Sequence, residues 1–271
     1  MAPRREGVRG GDPALSVVLI GTKGGPRMFP ISDDNPRHQT PYVTWTIIGI
    51  CVLVFLWQAS LGDEASQAAV FEYGMIPARV FGEADLLPEL AAIPAWTTVI
   101  TSMFMHGGWM HLGLNMLFLW IFGDNVEDSM GHVRYLVFYI ACGIAAAFAQ
   151  ALTNPGSTIP MIGASGAISG VLGAYVLLHP QATVRVLIVL GVFITMAHIP
   201  AMIVLGIWFL TQIASAALSP GDGPGVAFWA HVGGFVAGMA LVPFFKKSGV
   251  PLFQPRHSRP FSIERRRGPW G

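Results

Sequence analysis

Residues 184–218 read VRVLIVLGVFITMAHIPAMIVLGIWFLTQIASAAL. A hydrocarbon core roughly 30 Å thick takes about 20 apolar residues of helix, so this run of about 35 crosses a bilayer once or twice, and the difference decides the topology. Five further windows are apolar enough to span: Pro41–Ser60, His111–Val126, Val133–Leu152, Ile162–Leu178 and Val226–Phe245. If Val184–Ile199 is a re-entrant or interfacial piece and Pro200–Leu218 the span, the chain crosses six times and both tails share one side. That side then holds fifteen of the sixteen Lys and Arg, and Arg79 alone lies opposite. Seven crossings would carry the closing cluster Lys246, Lys247, Arg256, Arg259, Arg265, Arg266 and Arg267 to the far side. Basic residues gather at the cytoplasmic face, which favours six.

The expected architecture is therefore all-α: a polytopic bundle of six transmembrane helices over residues 41–246. A flexible cytoplasmic tail is expected over 1–40 and a basic cytoplasmic tail over 247–271, in a multi-pass protein of the cell membrane. Residues 61–94 become an extracytoplasmic loop whose apolar side chains, among them Val70, Phe71, Leu86 and Leu87, pack it at the interface. Composition agrees. Charged residues are 11 % of the 271 and apolar residues 53 %, where a soluble domain carries about 25 % charge. Disordered, collagen-like and nucleic-acid-binding classes are excluded, and the lipid bilayer is the expected surrounding. Cys51 and Cys142 fall in apolar stretches and read as small core residues, with no disulfide or metal framework and no cofactor implied.

In a chain that crosses six times with both ends inside, the second, fourth and sixth spans enter from the outer face. Their strongly polar residues lie near their starts: His111 and Asn115, Ser165, and His231. His111 and Asn115 are i and i+4 and share a helix face. Polar side chains at such depth are costly unless they meet one another or water, and they mark a functional site by default. Small residues recur around Ser165 (Gly163, Gly166, Ser169, Gly170, Gly173), and Gly234 and Gly238 follow His231, so the two helix backbones can approach closely. No Asp or Glu lies at this depth, which leaves a Ser-His dyad as the nucleophilic arrangement available. His111, Asn115 and the Ser165 amide are then free to stabilise an oxyanion. A metal site is disfavoured, because there is no H-E-x-x-H and His106 and His111, five apart, diverge on a helix.

His106-x4-His111-x3-Asn115, Gly163-Ala164-Ser165-Gly166 and Ala230-His231-Val232-Gly233-Gly234, with Gly238 beyond, resemble the rhomboid family of intramembrane serine proteases over about residues 41–245. Flanking Trp96, Phe104, Gly123, Glu127, Gly131, Trp208 and Gln212 are also similar to the family. The resemblance implies a six-helix rhomboid-like bundle and a serine-type endopeptidase that cleaves transmembrane protein substrates near the outer face. It makes Ser165 the nucleophile and His231 the general base, with His111, Asn115 and the Ser165 amide as oxyanion hole. His106, Gly163, Gly166, Gly234 and Gly238 take supporting roles, and Glu127 ties to Arg134 or nearby amides at the cytoplasmic end. The chain departs from many members at Thr97, where they carry Arg, and at Ser169, where some carry an aromatic that stacks on the histidine. Both departures bear on how His231 is oriented and how the outer loop sits. The competing reading is a catalytically silent binding or escort protein for transmembrane helices; inactive relatives lack the serine or the histidine, and both are present here.

Overall fold

The computed structural model describes residues 27–190, 193–218 and 225–255. Strand β1 (Arg27–Asp33) leads to the long helix α1 (Tyr42–Ser60). The segment that follows holds the short helices α2 (Asp63–Tyr73), α3 (Pro77–Val80) and α4 (Thr98–Thr101). Helices α5 (Trp109–Met130), α6 (His132–Ala151) and α7 (Ser165–Leu178) come next, then strands β2 (Thr183–Leu190) and β3 (Phe193–Pro200), then helices α8 (Ala201–Leu218) and α9 (Phe228–Phe245). The chain is a mostly helical membrane bundle. Among the described residues four helices, α1, α6, α8 and α9, are long and apolar enough to cross a membrane, and α7 is apolar but only 14 residues long. Helix α5 has 22 residues and ends in a polar turn with Asp124, Glu127 and Asp128.

Two expected features take a different form. Residues 184–190 and 193–199 lie in two paired antiparallel strands, and residues 27–33, placed by the sequence in a flexible tail, form the outer strand of an antiparallel sheet ordered β1-β2-β3. Val184, Val186, Ile188 and Val189 favour a strand over a helix because branching at Cβ restricts χ1. Arg185 is exposed between buried Val184 and Val186. Pro30 sits on the edge strand at the register shift, a position where proline is tolerated in a sheet.

The sheet is fastened to the lower end of α7. Tyr175 Oη donates to the Asp33 carboxylate, and the Thr183 amide donates to Asp34 Oδ1 at 2.6 Å. Burial outweighs the Tyr175 hydrogen bond and, together with the nearby Asp124 and Asp34, pushes Asp33 from 3.8 up to about 7. A carboxyl raised in the folded state binds more protons there than in the unfolded chain, so its contribution to stability is lost as pH rises from 3.8 to about 7. The melting temperature in detergent should fall across that window, and Asp33→Asn should flatten the slope.

Glu127 is nearly sealed from solvent at 1 % exposure, and it caps α1 from the end of α5. Its carboxylate accepts from the Val43 and Thr44 amides at 2.9 and 2.8 Å and from Thr44 Oγ1 at 2.7 Å, and pairs with His132 Nδ1 at 2.6 Å. Nearby amides are thus its partners; Arg134 instead donates to the Lys246 carbonyl at 3.5 Å. Glu127→Ala would strand buried donors and should cost about 2–3 kcal/mol, read as a lower melting temperature. Between the helices lies one core that includes Cys51, Leu119, Phe122, Tyr139, Cys142 and Tyr175, so both cysteines are packing residues.

Candidate active site

Helices α5, α7 and α9 all begin at the same end of the bundle, and the polar residues picked from the sequence sit in their first turns or one turn on. Helix α7 and α9 touch backbone to backbone. A Cβ built on Gly234 would lie 2.1 Å from the Gly166 carbonyl oxygen, and one on Gly238 1.9 Å from that of Gly170. Only glycine permits this approach. It fixes the register of the two helices about Gly166, which follows Ser165, and Gly234; Ala230, which precedes His231, comes 3.8 Å from a Cβ built on Gly166. The start of α9 has no side-chain cap of its own. Gln150 at the end of α6 supplies one, its Oε1 accepting from the Trp229 and Ala230 amides at 3.0 and 3.3 Å.

His111 approaches the same point from α5. Its Nδ1 accepts from the Gly107 amide at 3.2 Å, so the proton of the neutral ring sits on Nε2. That Nε2 overlies the peptide leading into Ser165: a Cβ on Gly163 would be 2.7 Å from it and 3.7 Å from Ser165 Oγ. Gly163 has φ +127°, a left-handed conformation that glycine adopts readily, and its amide donates to the Ser102 carbonyl at 2.8 Å. Asn115 is buried one turn below His111, and its Nδ2 is without a hydrogen-bond partner among the described residues. Two donors on one helix face thus stand beside a serine at a helix N-terminus, an arrangement able to bind developing negative charge.

His231 is 2 % exposed and Ser165 half-buried. The imidazole Nδ1 meets Gln212 Oε1 of α8 at 2.8 Å, and the ring lies 5.9 Å from that of Trp208, tilted by 38°. No direct Ser165–His231 hydrogen bond is among those of the described residues. Ser169 Oγ donates back to the Ser165 carbonyl at 2.6 Å. His106 is buried behind His111, their rings 5.2 Å apart and edge to face. Gln58 of α1 clamps its backbone, accepting from the His106 amide at 3.1 Å and donating to its carbonyl at 3.4 Å. Gln58, Gln150 and Gln212 are the positioning amides that sequence reasoning left without a role. Their signal was present, since each is an uncharged amide within an apolar helix. No cluster of His, Cys, Asp and Glu able to hold a metal occurs among the described residues.

Residues 94–248, more than half of the chain, match the rhomboid domain. The chain is 29 % identical to the rhomboid protease GluP of Bacillus subtilis over 138 residues, covering 51 % of this chain and 25 % of that protein. It is 27 % identical over 196 residues to the mitochondrial rhomboid protein 1 of Saccharomyces cerevisiae, covering 65 % and 50 %. It is 28 % identical over 164 residues to a rhomboid-type serine protease 2 of Emericella nidulans, covering 57 % and 28 %. The chain thus spans between a quarter and half of the length of these relatives. With the domain match lying over the helices that carry Ser165, His231, His111 and Asn115, the chain belongs to the rhomboid family.

Proposed function

We propose that the chain is an intramembrane serine endopeptidase acting on transmembrane protein substrates near the outer face of the cell membrane, with six crossings and both ends cytoplasmic. Ser165 Oγ attacks the scissile carbonyl while His231 takes its proton and later returns it to the leaving amine; water then releases the acyl group by the reverse steps. His111, Asn115 and the Ser165 amide hold the oxyanion. The single observation that supports this most strongly is the backbone contact of α7 and α9 at Gly166 and Gly234, one residue after Ser165 and three after His231. Catalytic hydrogen bonds are often long before substrate binds, and the Ser165–His231 bond closes in the substrate complex.

A substrate helix hides its carbonyls in i→i−4 hydrogen bonds, so cleavage requires local unwinding. Segments with Gly or Pro near the outer end, and a small residue before the cut, are the preferred substrates. Motion of α8 or of the outer segment 61–94 admits them sideways. Both Ser165 and His231 are present, which favours this reading over an escort protein. A fluorophosphonate probe should label the wild-type protein in proteoliposomes and fail on Ser165→Ala; an unlabelled wild type would overturn the assignment, as a binding module carries no activated serine.

A further inference from the structure

We propose that Gln212 of α8 is a positioning residue that selects the tautomer of His231, so that the site works as a Ser165–His231–Gln212 series drawn from three helices. The inference rests on the Ser165–His231 reading above. Gln212 and His231 are 1 % and 2 % exposed, and their side chains meet at 2.8 Å between Gln212 Oε1 and His231 Nδ1. The amide is itself held the right way round: Nε2 donates to the Trp208 carbonyl at 3.4 Å and to Thr211 Oγ1 at 3.3 Å, which turns Oε1 toward the imidazole. A carbonyl oxygen can only accept, so His231 Nδ1 carries the proton. A neutral imidazole has one ring proton, and Nε2 is left with a free lone pair, the form a general base requires.

Trp208, one turn earlier on the same helix, packs beside the ring. From α7, the hydroxyl of Ser169 is taken up by the Ser165 carbonyl. Phe228 of α9 stands edge-on to the ring at 6.4 Å and offers it no hydrogen bond, so the polar partner that orients the base comes from α8. When His231 accepts the Ser165 proton, Nδ1–H keeps its bond to Gln212 and the ring does not turn. A carboxylate in this place would bring a buried charge; the amide supplies an acceptor without one.

The test uses the full chain in proteoliposomes with Gln212→Leu, which removes the acceptor at similar volume, and Gln212→Glu, which keeps an acceptor at the same length. Gln212→Leu should lower the fluorophosphonate labelling rate and kcat by about 10- to 100-fold with KM held within about twofold. Gln212→Glu should recover to within about fivefold of wild type. A Gln212→Leu protein that labels like wild type overturns the proposal, as does a Gln212→Glu protein as slow as Gln212→Leu when both melt like wild type. If either variant fails to fold, nitrogen NMR of wild type labelled in histidine decides: the His231 signal, assigned by its loss in His231→Ala, should show a protonated Nδ1 and a bare Nε2, and the opposite tautomer overturns the proposal. A wild type that never labels defeats the protease reading, and the NMR result still judges the role of Gln212.

Discussion

Cleavage of a transmembrane substrate by the Ser165→Ala protein should fall by roughly 10⁴-fold or more, because the nucleophile is gone and only water attack aided by the oxyanion donors remains. His231→Ala should lose a comparable amount, since a nucleophile and its base act as a unit and removing either removes the activated alkoxide. The two variants part company in stability. Ser165 is half-buried at the first position of α7, and alanine there removes one oxygen and no packing partner. His231 is sealed in the bundle against Gln212 and Trp208. Its removal strands the Gln212 oxygen and opens a cavity beside Trp208, so this variant should melt lower, by the equivalent of about 1–3 kcal/mol. Initial cleavage rates in proteoliposomes, with melting curves of the same preparations in detergent, give both readouts. Ser165→Ala cleaving within about tenfold of wild type would end the assignment of the nucleophile, since chemistry through the serine is worth far more than that.

The parts of this molecule that could be read from the chain are those encoded by local contrast. An apolar run interrupted by His, Asn or Ser announces both a helix and an expensive polar group, and the structure places His111, Ser165 and His231 at the corresponding helix starts. The sheet was hidden by the same logic. Hydropathy treats Val184–Ile199 as one more apolar stretch, and an apolar run does not by itself separate strand from helix; the β-branched Val184, Val186, Ile188 and Val189 are what favour the strand. The partner of that strand, Arg27–Asp33, lies some hundred and fifty residues earlier, as in the pairing of Asp33 with Val184, and no local pattern links the two. Long-range choice also governs the amides. Nothing in the sequence of α8 tells Gln212 to face His231; the register of α8 against α9 decides it, and there Trp208 and Phe209 pack on Phe235. Glu127 shows the same limit from the other side: the resemblance implied a tie to Arg134 or nearby amides, and its choice of the α1 amides depends on where α1 begins relative to the end of α5.

Gly163→Ala should separate the oxyanion hole from the rest of the fold, lowering kcat by about 10²- to 10³-fold, the usual cost of losing one such donor. Two effects act together. At φ +127° an L side chain is strained, by about 1–3 kcal/mol, and relaxing that strain rotates the Gly163–Ala164 peptide and shifts the start of α7, where the Ser165 amide sits. The new methyl would also stand 2.7 Å from His111 Nε2, well inside contact distance, so the imidazole must swing away from the position where it can donate to the oxyanion. Ser165 Oγ, at 3.7 Å from that methyl, is in ordinary contact and is not displaced, which leaves the nucleophile and His231 in place. The signature is specific: slow fluorophosphonate labelling and a large fall in kcat with substrate binding retained, because the lost interaction exists in the transition state and not in the ground state. Gly49→Ala in α1, where a Cβ would meet nothing within 4 Å, is the control for the substitution itself and should leave the rate unchanged and melting the same or slightly higher. A Gly163→Ala enzyme as fast as wild type would mean that His111 does not serve the oxyanion, and the donor set would then reduce to Asn115 and the Ser165 amide.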